Sequence, residues 1–262
     1  MGSKTHRYWD EVAETWATER PQRLWREFCD LLNEQLISRN LPTSPIGRTL
    51  KTDLFDEATG ERGLVSALSE TAGQVVGIDL SQATARIASS RHIPLGVCTG
   101  DVCALPFESE AFDFVLSNST LDHMDSVADI ALALAEIRRV LRPGGRLLLT
   151  LDNFYNPIIA LRSILPSRLL TGLRLVPYYV GATCGPKRLR SLVEGAGLKP
   201  LRVGAMMHCP RLPAVALCNL LDRFGGTSRK TFAQSLFWWE TLERLPTRYI
   251  TGYFITVVAV RS

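Results

Sequence analysis

Short apolar runs alternate with helical apolar periods through the middle of the chain. The runs predict strands near 48–55, 74–80, 95–100, 112–118 and 146–152. Between them, apolar residues at helical spacing predict helices near 60–70, 82–91 and 125–142. Such alternation implies an α/β fold with parallel strands, right-handed crossovers and helices on both faces of the sheet. In sheets of this kind a ligand lies beyond the carboxyl ends of the strands, where the strand order reverses.

Helical segments precede this alternating core. Residues 7–39 show two helical apolar patterns, and Pro21 suits the first turn of the second helix. Residues 41–47 contain two prolines, a serine and a glycine, a composition that predicts a linker. We therefore expect an N-terminal helical cap over 1–47 and a core over 48–262.

Two insertions interrupt the second half of the core. They cover about 153–185 and 209–247, and both are rich in apolar residues. Between and after them, the sequence predicts a helix near 186–196 and strands near 199–207 and 253–260. Since the insertions lack the strand–helix rhythm, we expect them to be helical cap segments.

The composition limits the classes of function. The 262 residues are 46% apolar and 21% charged, as in soluble globular proteins. The net charge of +4 is scattered without a Lys/Arg tract, so no nucleic-acid partner is expected. The six cysteines form no Cys-x-x-Cys pair, which favours free thiols over a metal site or disulfides. No signal-peptide pattern and no run of about 18 apolar residues occurs, which predicts a cytoplasmic protein.

Two acids stand at the ends of successive predicted strands. Asp79 can accept two hydrogen bonds from a ribose diol; its alternative role is the N-cap of the next helix, which Ser81 can also fill. Asp101 can accept from an exocyclic amine, with the Val102 amide as a donor to the ring; its alternative is a turn aspartate. Together they suit a ligand with a ribose and an adenine.

Five motifs occur in a specific order over about residues 48–152. They are Gly77-x-Asp79-x-Ser81, Gly100-Asp101-x-x-x-Leu105-Pro106-Phe107, Phe112-Asp113-x-Val115-x-Ser117, Leu121-x-His123 and Arg138-Arg139-Val140-Leu141-x-Pro143-Gly144-Gly145. This order resembles the class I S-adenosylmethionine-dependent methyltransferases, and within them the type-11 small-molecule group. The resemblance implies a Rossmann-like, seven-stranded, mostly parallel sheet with an antiparallel last hairpin. It also implies that Asp79 holds the ribose of S-adenosylmethionine and Asp101 its adenine amine.

The first motif departs from the family pattern. The family has an acid and alternating glycines there, but residues 50–60 retain only Gly60 and carry three acids. Either these acids hold the cofactor's ammonium group, with Lys51 partnering one of them, or the site has decayed and binds nothing. The second alternative favours a methyltransferase-like binding or regulatory protein without turnover. So acidic a loop argues against a phosphate ligand and hence a dehydrogenase. The predicted cofactor-binding residues are Asp53, Phe55, Gly60, Asp79, Leu80, Asp101, Val102, Ser117 and Asn118.

His123 is the candidate catalytic residue. It follows the fourth strand, at the rim where a methyl acceptor would approach, and can take a proton from a hydroxyl. This favours O-methylation, although a histidine packed at a helix start is the alternative and positioning alone can drive methyl transfer. Asp122 is expected either to orient His123 or to cap the helix near 125.

Aromatic side chains are frequent in the predicted cap. They are Tyr8, Trp9, Tyr155, Tyr178, Tyr179, Phe237, Trp238 and Trp239. We expect the cap to cover the cofactor and to form a pocket for a small, fairly apolar or aromatic acceptor. The alternative for each ring is packing within the cap. A further alternative is a lipid methyltransferase at a membrane surface, because Arg162, Arg168 and Arg174 interrupt apolar helix.

Overall fold

A seven-stranded sheet forms the centre of the protein in a computed structural model, which describes residues 3–19, 21–42, 46–60, 63–70, 72–91, 93, 95–165, 170, 176, 178–224 and 227–262. Its strands are β1 Ile46–Lys51, β2 Ala72–Asp79, β3 Gly96–Thr99, β4 Phe112–Ser117, β5 Leu141–Asp152, β6 Leu198–Met206 and β7 Phe254–Arg261. The order is β3-β2-β1-β4-β5-β7-β6, and β7 runs antiparallel to both of its neighbours. The predicted Rossmann-like, mostly parallel sheet is therefore confirmed, with the order reversing between β1 and β4.

Helices cover both faces of this sheet. They are α1 Ser3–Glu19, α2 Arg23–Asn40, α3 Phe55–Thr59, α4 Val65–Ser69, α5 Gln82–Ser89, α6 Val127–Val140, α7 Pro157–Ile164, α8 Pro186–Gly195, α9 Arg211–Phe224, α10 Thr227–Leu236 and α11 Arg248–Thr251. Two 3-10 turns lie at Leu121–His123 and Phe237–Arg244. No helix in the described ranges is long and apolar enough to cross a membrane.

Strand β5 illustrates why the central strands consist of consecutive apolar residues. Leu147 and Leu149 pack in one core cluster with Ile137 of α6, while Leu148 packs in another with Ile37 of α2. Successive side chains of a strand point to opposite faces, and here both faces are covered. A strand buried on both faces must be apolar throughout, as the sequence predicted.

The region between β1 and β2 differs from the prediction. The strand expected over 48–55 ends at Lys51 and is followed by α3, and the helix expected over 60–70 is shorter, as α4. Asp53 Oδ1 accepts a hydrogen bond from the Phe55 amide at 2.9 Å. A side chain that bonds its own backbone two residues on competes with strand pairing, so the chain turns here.

The cap helices pack on the core. In α1, Asp10 accepts hydrogen bonds from the Ser81 hydroxyl at 2.6 Å and the Ala83 amide at 3.0 Å, which ties α1 to the start of α5. The second insertion forms α9, α10 and the second 3-10 turn, and it shares an apolar cluster with α2. Within that cluster the ring of Phe237 lies 5.1 Å from that of Phe28.

Candidate active site

A cavity of about 200 Å³ lies beyond the carboxyl ends of the parallel strands. One side, here called the acid wall, consists of Asp53, Asp56, Asp79 and Asp101. The other side, the cap wall, consists of Trp9, Trp16, Trp25, Arg26, Tyr178 and Arg211. The predicted site residues that line this cavity are Asp53, Phe55, Asp79, Leu80, Asp101, Val102, Asn118 and His123. The structure therefore brings most of the predicted set together, and their binding of a cofactor stays a prediction.

Gly60 and Ser117, also predicted to bind the cofactor, do not line the cavity. Gly60 ends α3, where its amide bonds the Asp56 carbonyl at 2.8 Å and its carbonyl accepts from Arg91. Ser117 is fully buried and accepts a hydrogen bond from Thr52 at 3.1 Å. The motif shows which strand end a residue is on, but not which way it faces, and the binding of a cofactor by these two residues stays a prediction.

Asp79 lies at the end of β2. Its carboxylate accepts hydrogen bonds from the Leu54 amide at 2.9 Å and the Ser81 amide at 2.8 Å. Burial raises the pKa of Asp79 to about 6, although these two bonds lower it. Ser81 caps α5 by accepting from the Thr84 amide at 3.0 Å, so the helix does not need Asp79 as its cap.

Asp101 follows β3. Its carboxylate accepts from the Cys103 amide at 2.8 Å, which is the contact of a turn aspartate, and the residue lines the cavity as well. Phe107, which follows in the same motif, packs its ring edge-on against Phe112 at 5.1 Å and does not line the cavity.

A buried ion pair occupies the glycine-poor loop. Lys51 and Glu57 both have fully buried side chains, and Lys51 Nζ lies 2.8 Å from Glu57 Oε2. Glu57 Oε1 accepts from the Leu64 amide at 2.8 Å, which joins β1 and α3 to the start of α4. Burial opposes the Lys51 charge, but the charges of Glu57 and Asp53 outweigh it and raise the pKa of Lys51. Of the three loop acids, Glu57 is therefore structural, while Asp53 and Asp56 line the cavity.

Leu54 lies in the loop where the family pattern has glycines. A Cβ on Gly77 of β2 would collide with the Leu54 side chain, so the two residues fit only because position 77 is a glycine. Burial raises the pKa of Asp53, and the neighbouring Asp79 raises it further, while Lys51 lowers it. Two carboxylates that share a buried wall favour a cationic ligand.

His123 lies in a 3-10 turn at the cavity rim. Its Nδ1 lies 3.0 Å from the Tyr179 carbonyl oxygen. Because a carbonyl only accepts, Nδ1 carries the proton in the neutral ring, and Nε2 is left as a base. The ring also packs edge-on against Trp9, with 4.8 Å between centroids.

Asp122 has neither of its expected roles. It forms no hydrogen bond with His123, its Oδ1 has no partner in the described ranges, and Ser126 caps α6 instead. The backbone carbonyl of Asp122 accepts from the Gly181 amide at 2.7 Å. Gly181 has no room for a Cβ against Met124, so the segment 178–182 lies tightly along the 3-10 turn. Its Tyr179 carbonyl, and not Asp122, orients the His123 ring.

Four residues of the cap wall are not singled out by the sequence pattern. They are Trp16, Trp25, Arg26 and Arg211. Arg26 donates to Thr59 at 2.6 Å and lies over the rings of Trp16 and Phe55. No local pattern identifies these residues, because the contacts that place them join distant parts of the chain.

The aromatic residues of the second insertion pack within the cap, which is the alternative expected for each ring, or are exposed to solvent. Phe237 packs on α2, and Trp238 is 66% exposed. Neither they nor Trp239 line the cavity. Tyr155, of the first insertion, also lies outside it and is 46% exposed. In that insertion Tyr178 alone of the predicted rings lines the cavity, among the described residues.

Residues 55–149 match the model of a family described as "Methyltransferase domain". The chain carries a class I S-adenosylmethionine-dependent methyltransferase domain of the type-11 group. A chain in the structure of the Haloferax volcanii Trm112 methyltransferase activator with a methyltransferase has the same fold, with a TM-score of 0.62 at 20% identity. That likeness covers 95% of this chain and 97% of the other.

Two curated methyltransferases are similar to part of this chain. Demethylmenaquinone methyltransferase of Corynebacterium kroppenstedtii is 34% identical over 124 residues, 47% of this chain and 50% of that protein. Phthiotriol/phenolphthiotriol dimycocerosates methyltransferase 1 of Mycobacterium ulcerans is 37% identical over 101 residues, 37% of this chain and 36% of that protein. The chain thus spans half or less of the length of these relatives.

The residues of the cavity fit the cofactor of this methyltransferase domain. S-adenosylmethionine carries a sulfonium, an ammonium group and a carboxylate, besides its ribose and adenine. The acid wall supplies four carboxylates for the cationic groups, the diol and the amine. Arg26 supplies a cation beside α3, at the end of the acid wall where Asp53 and Asp56 lie.

Proposed function

We propose that this protein transfers a methyl group from S-adenosylmethionine to a hydroxyl of a small, fairly apolar or aromatic acceptor. The observation that carries the proposal is that the acid wall and the cap wall line one cavity, with His123 at its rim. Acids suit the cofactor and rings suit the acceptor, so a single cavity can hold the two reactants together.

The acid wall would hold the cofactor. In the proposed arrangement Asp79 accepts from the ribose hydroxyls and Asp101 from the adenine amine. Asp53 and Asp56 face the ammonium group, and Arg26 pairs with the carboxylate. When bound, S-adenosylmethionine supplies a methyl group on a positively charged sulfur.

His123 would act on the acceptor. Since Nδ1 donates to the Tyr179 carbonyl, the free Nε2 can receive the hydroxyl proton as the oxygen gains the methyl group. The rings of Trp9 and Tyr178 lie 4.8 and 5.6 Å from the His123 ring, and they would exclude water and place an aromatic acceptor. We expect positioning of this kind to contribute more to the rate enhancement than His123 does.

The names of the two relatives support an apolar acceptor. One is a demethylmenaquinone methyltransferase and the other a phthiotriol/phenolphthiotriol dimycocerosates methyltransferase. Both are similar to this chain over less than half of its length, so they support the acceptor class and not its identity.

An acceptor held at a membrane surface is the second candidate. The exposed apolar residues Leu161 and Ile164 of α7 favour it. Against it, Arg162 forms an ion pair with Asp152 instead of facing lipid headgroups. Arg168 and Arg174, the other arginines of that hypothesis, lie outside the described residues. Turnover of a water-soluble acceptor without vesicles or detergent would decide against this candidate.

Calorimetric titration with S-adenosylhomocysteine tests the proposal. We expect the wild type to bind it and Asp79→Ala to bind about 10- to 100-fold more weakly, the loss of one charge-assisted contact of about 1.5–3 kcal/mol. Asp113→Ala is the matched control. Its carboxylate also accepts a backbone amide, from Arg48 at 2.8 Å, but it does not line the cavity.

Two outcomes would contradict the proposal. A wild type that fails to bind S-adenosylhomocysteine is not a methyltransferase that works through this cavity. A wild type that binds it but methylates no hydroxyl acceptor would instead be a binding or regulatory protein.

A further inference from the structure

Arg211 presents a positive charge to the cavity. It begins α9, and its guanidinium lies 4.6 Å from the ring of Tyr253 and 5.9 Å from that of Trp25. Within the described ranges, no carboxylate pairs with this group and no oxygen accepts a hydrogen bond from it. Rings stabilise a cation but accept none of the five N–H donors of the guanidinium.

Three other largely buried cations among the described residues are paired. Lys51 has Glu57, Arg162 has Asp152, and Arg261 Nη2 lies 2.7 Å from Glu110. An unpaired charge withdrawn from water is strongly destabilising, so proteins rarely keep one without a use. The guanidinium of Arg211 is only partly buried, but it lacks such a partner within the described ranges, so it is suited to an anion from outside the chain.

The surroundings of Arg211 make this end of the cavity positive. The helix that it begins has 14 residues and no acid in its first turn, so the partial positive charge of the helix start adds to the guanidinium. Asp152, the acid whose charge acts on Arg211, is already neutralised by Arg162. A ligand oxyanion would meet an attractive field there.

Arg211 also lies on the acceptor side of the cavity. Its charge acts on the Tyr178 hydroxyl, and the Tyr178 ring lies 5.6 Å from that of His123. Arg26, by contrast, bonds Thr59 of α3 beside the acid wall. The two guanidinium groups thus serve different ends of the cavity.

We propose that Arg211 binds an oxyanion, a carboxylate or a phosphate ester, on the methyl acceptor. This rests on the function proposed above, and it narrows the acceptor to an aromatic or apolar molecule with an acidic group. Its body packs against Trp25 and Tyr178, its acidic group pairs with Arg211, and its hydroxyl lies toward His123. The guanidinium fork suits a two-oxygen anion in particular.

Matched probes test the inference by calorimetry. They are 4-hydroxybenzoate, its neutral isostere 4-hydroxybenzamide, and phenyl phosphate, which separates carboxylate from phosphate recognition. Each is titrated with and without saturating S-adenosylhomocysteine. We expect the wild type to bind at least one acid about tenfold or more tightly than the amide. In Arg211→Met this preference should fall to within about twofold, and Arg211→Lys should keep part of it.

Arg248→Met is the control variant. Arg248 also lies over an aromatic ring, 4.9 Å from the centroid of Tyr249, but does not line the cavity. It should leave the acid preference unchanged. If Arg211→Met does not fold, the wild type is used instead, and the rate at which phenylglyoxal modifies Arg211 is measured. There 4-hydroxybenzoate should slow modification of this residue, measured by peptide mass spectrometry, and the amide should not.

Several results would overturn the inference. They are no binding of either acid, an acid preference that survives in Arg211→Met, or a loss of S-adenosylhomocysteine affinity in that variant larger than the loss for the acid. The last would assign Arg211 to the cofactor carboxylate. Failure of the wild type to bind S-adenosylhomocysteine would count against the proposed function, while the acid preference without cofactor would still decide the role of Arg211.

Discussion

The two walls of the cavity are built in different ways. On the acid wall, each of three aspartates accepts a hydrogen bond from the amide two residues further along the chain. The bonds are from Phe55 to Asp53 at 2.9 Å, Ser81 to Asp79 at 2.8 Å and Cys103 to Asp101 at 2.8 Å. Local contacts thus orient these carboxylates as soon as the strands that precede them are in place.

The cap wall depends on contacts between distant segments. The Tyr179 amide donates to the Tyr8 hydroxyl at 2.6 Å, and Trp9 packs on His123, more than a hundred residues away in the sequence. Arg211 likewise lies over Trp25. The cap wall therefore forms only when α1, α2 and both insertions have packed together.

This difference suggests separate uses. A wall made of local turns is suited to a constant ligand, which we propose is the cofactor. A wall assembled from long-range packing can change with the cap while the sheet stays the same, which suits a variable acceptor. Variants that act on one wall and spare the other can break or sharpen this comparison.

The largest effect is expected from the ion pair beneath the acid wall. Lys51→Met would leave Glu57 buried with an uncompensated charge, and we expect the free energy of unfolding to fall by about 3–5 kcal/mol. Urea unfolding measures this. Lys187→Met, an exposed lysine on α8, should change stability by less than about 0.5 kcal/mol.

A second change tests the reason for that loss. The double variant Lys51→Met with Glu57→Leu removes both charges. It should recover most of the stability, because no buried charge is then left without a partner. If Lys51→Met alone lost under 1 kcal/mol, the pair would not hold the loop, and the acid wall would depend on its backbone turns alone.

The sequence predicts much of the acid wall but little of the cap wall. The positions of the strands, Asp79 and Asp101 follow from apolar runs that end in acids, a signal confined to a few neighbouring residues. The side that Ser117 faces and the buried partner of Lys51 depend on the packing of α3 and β4, so the sequence left them open. Trp25 and Arg211 belong to the cavity only through folding of the cap, and nothing adjacent to them in the sequence indicates it.

The next effect concerns the cap wall. His123→Ala should lower turnover of a hydroxyl acceptor by about 10²-fold, the usual contribution of a positioned base, while S-adenosylhomocysteine affinity stays within about twofold. Initial rates over pH 6–9 measure it. His6→Ala is the control, since His6 bonds the Leu80 carbonyl but does not line the cavity. Turnover near wild type across that range would make His123 structural and leave catalysis to proximity.

The smallest effect is a pH dependence on the acid wall. Burial raises the pKa of Asp79 to about 6, and its ionised form is the one that accepts from a ribose diol. Affinity for S-adenosylhomocysteine should therefore be full above about pH 7 and fall by about tenfold toward pH 5. Asp79→Asn should flatten this profile, as measured by calorimetry at each pH.

Asp79 gives the stability of the fold and the affinity for the ligand opposite pH dependences. A carboxyl whose pKa is higher in the folded than in the unfolded chain stabilises the fold below about pH 4, and that contribution is lost as the pH rises through 6. Protonation of Asp79 thus strengthens the fold while it weakens binding. Asp122→Asn is the matched control, because burial also raises the pKa of Asp122 to about 6 but it does not line the cavity. If Asp122→Asn flattened the profile and Asp79→Asn did not, the ribose would not be bound by Asp79.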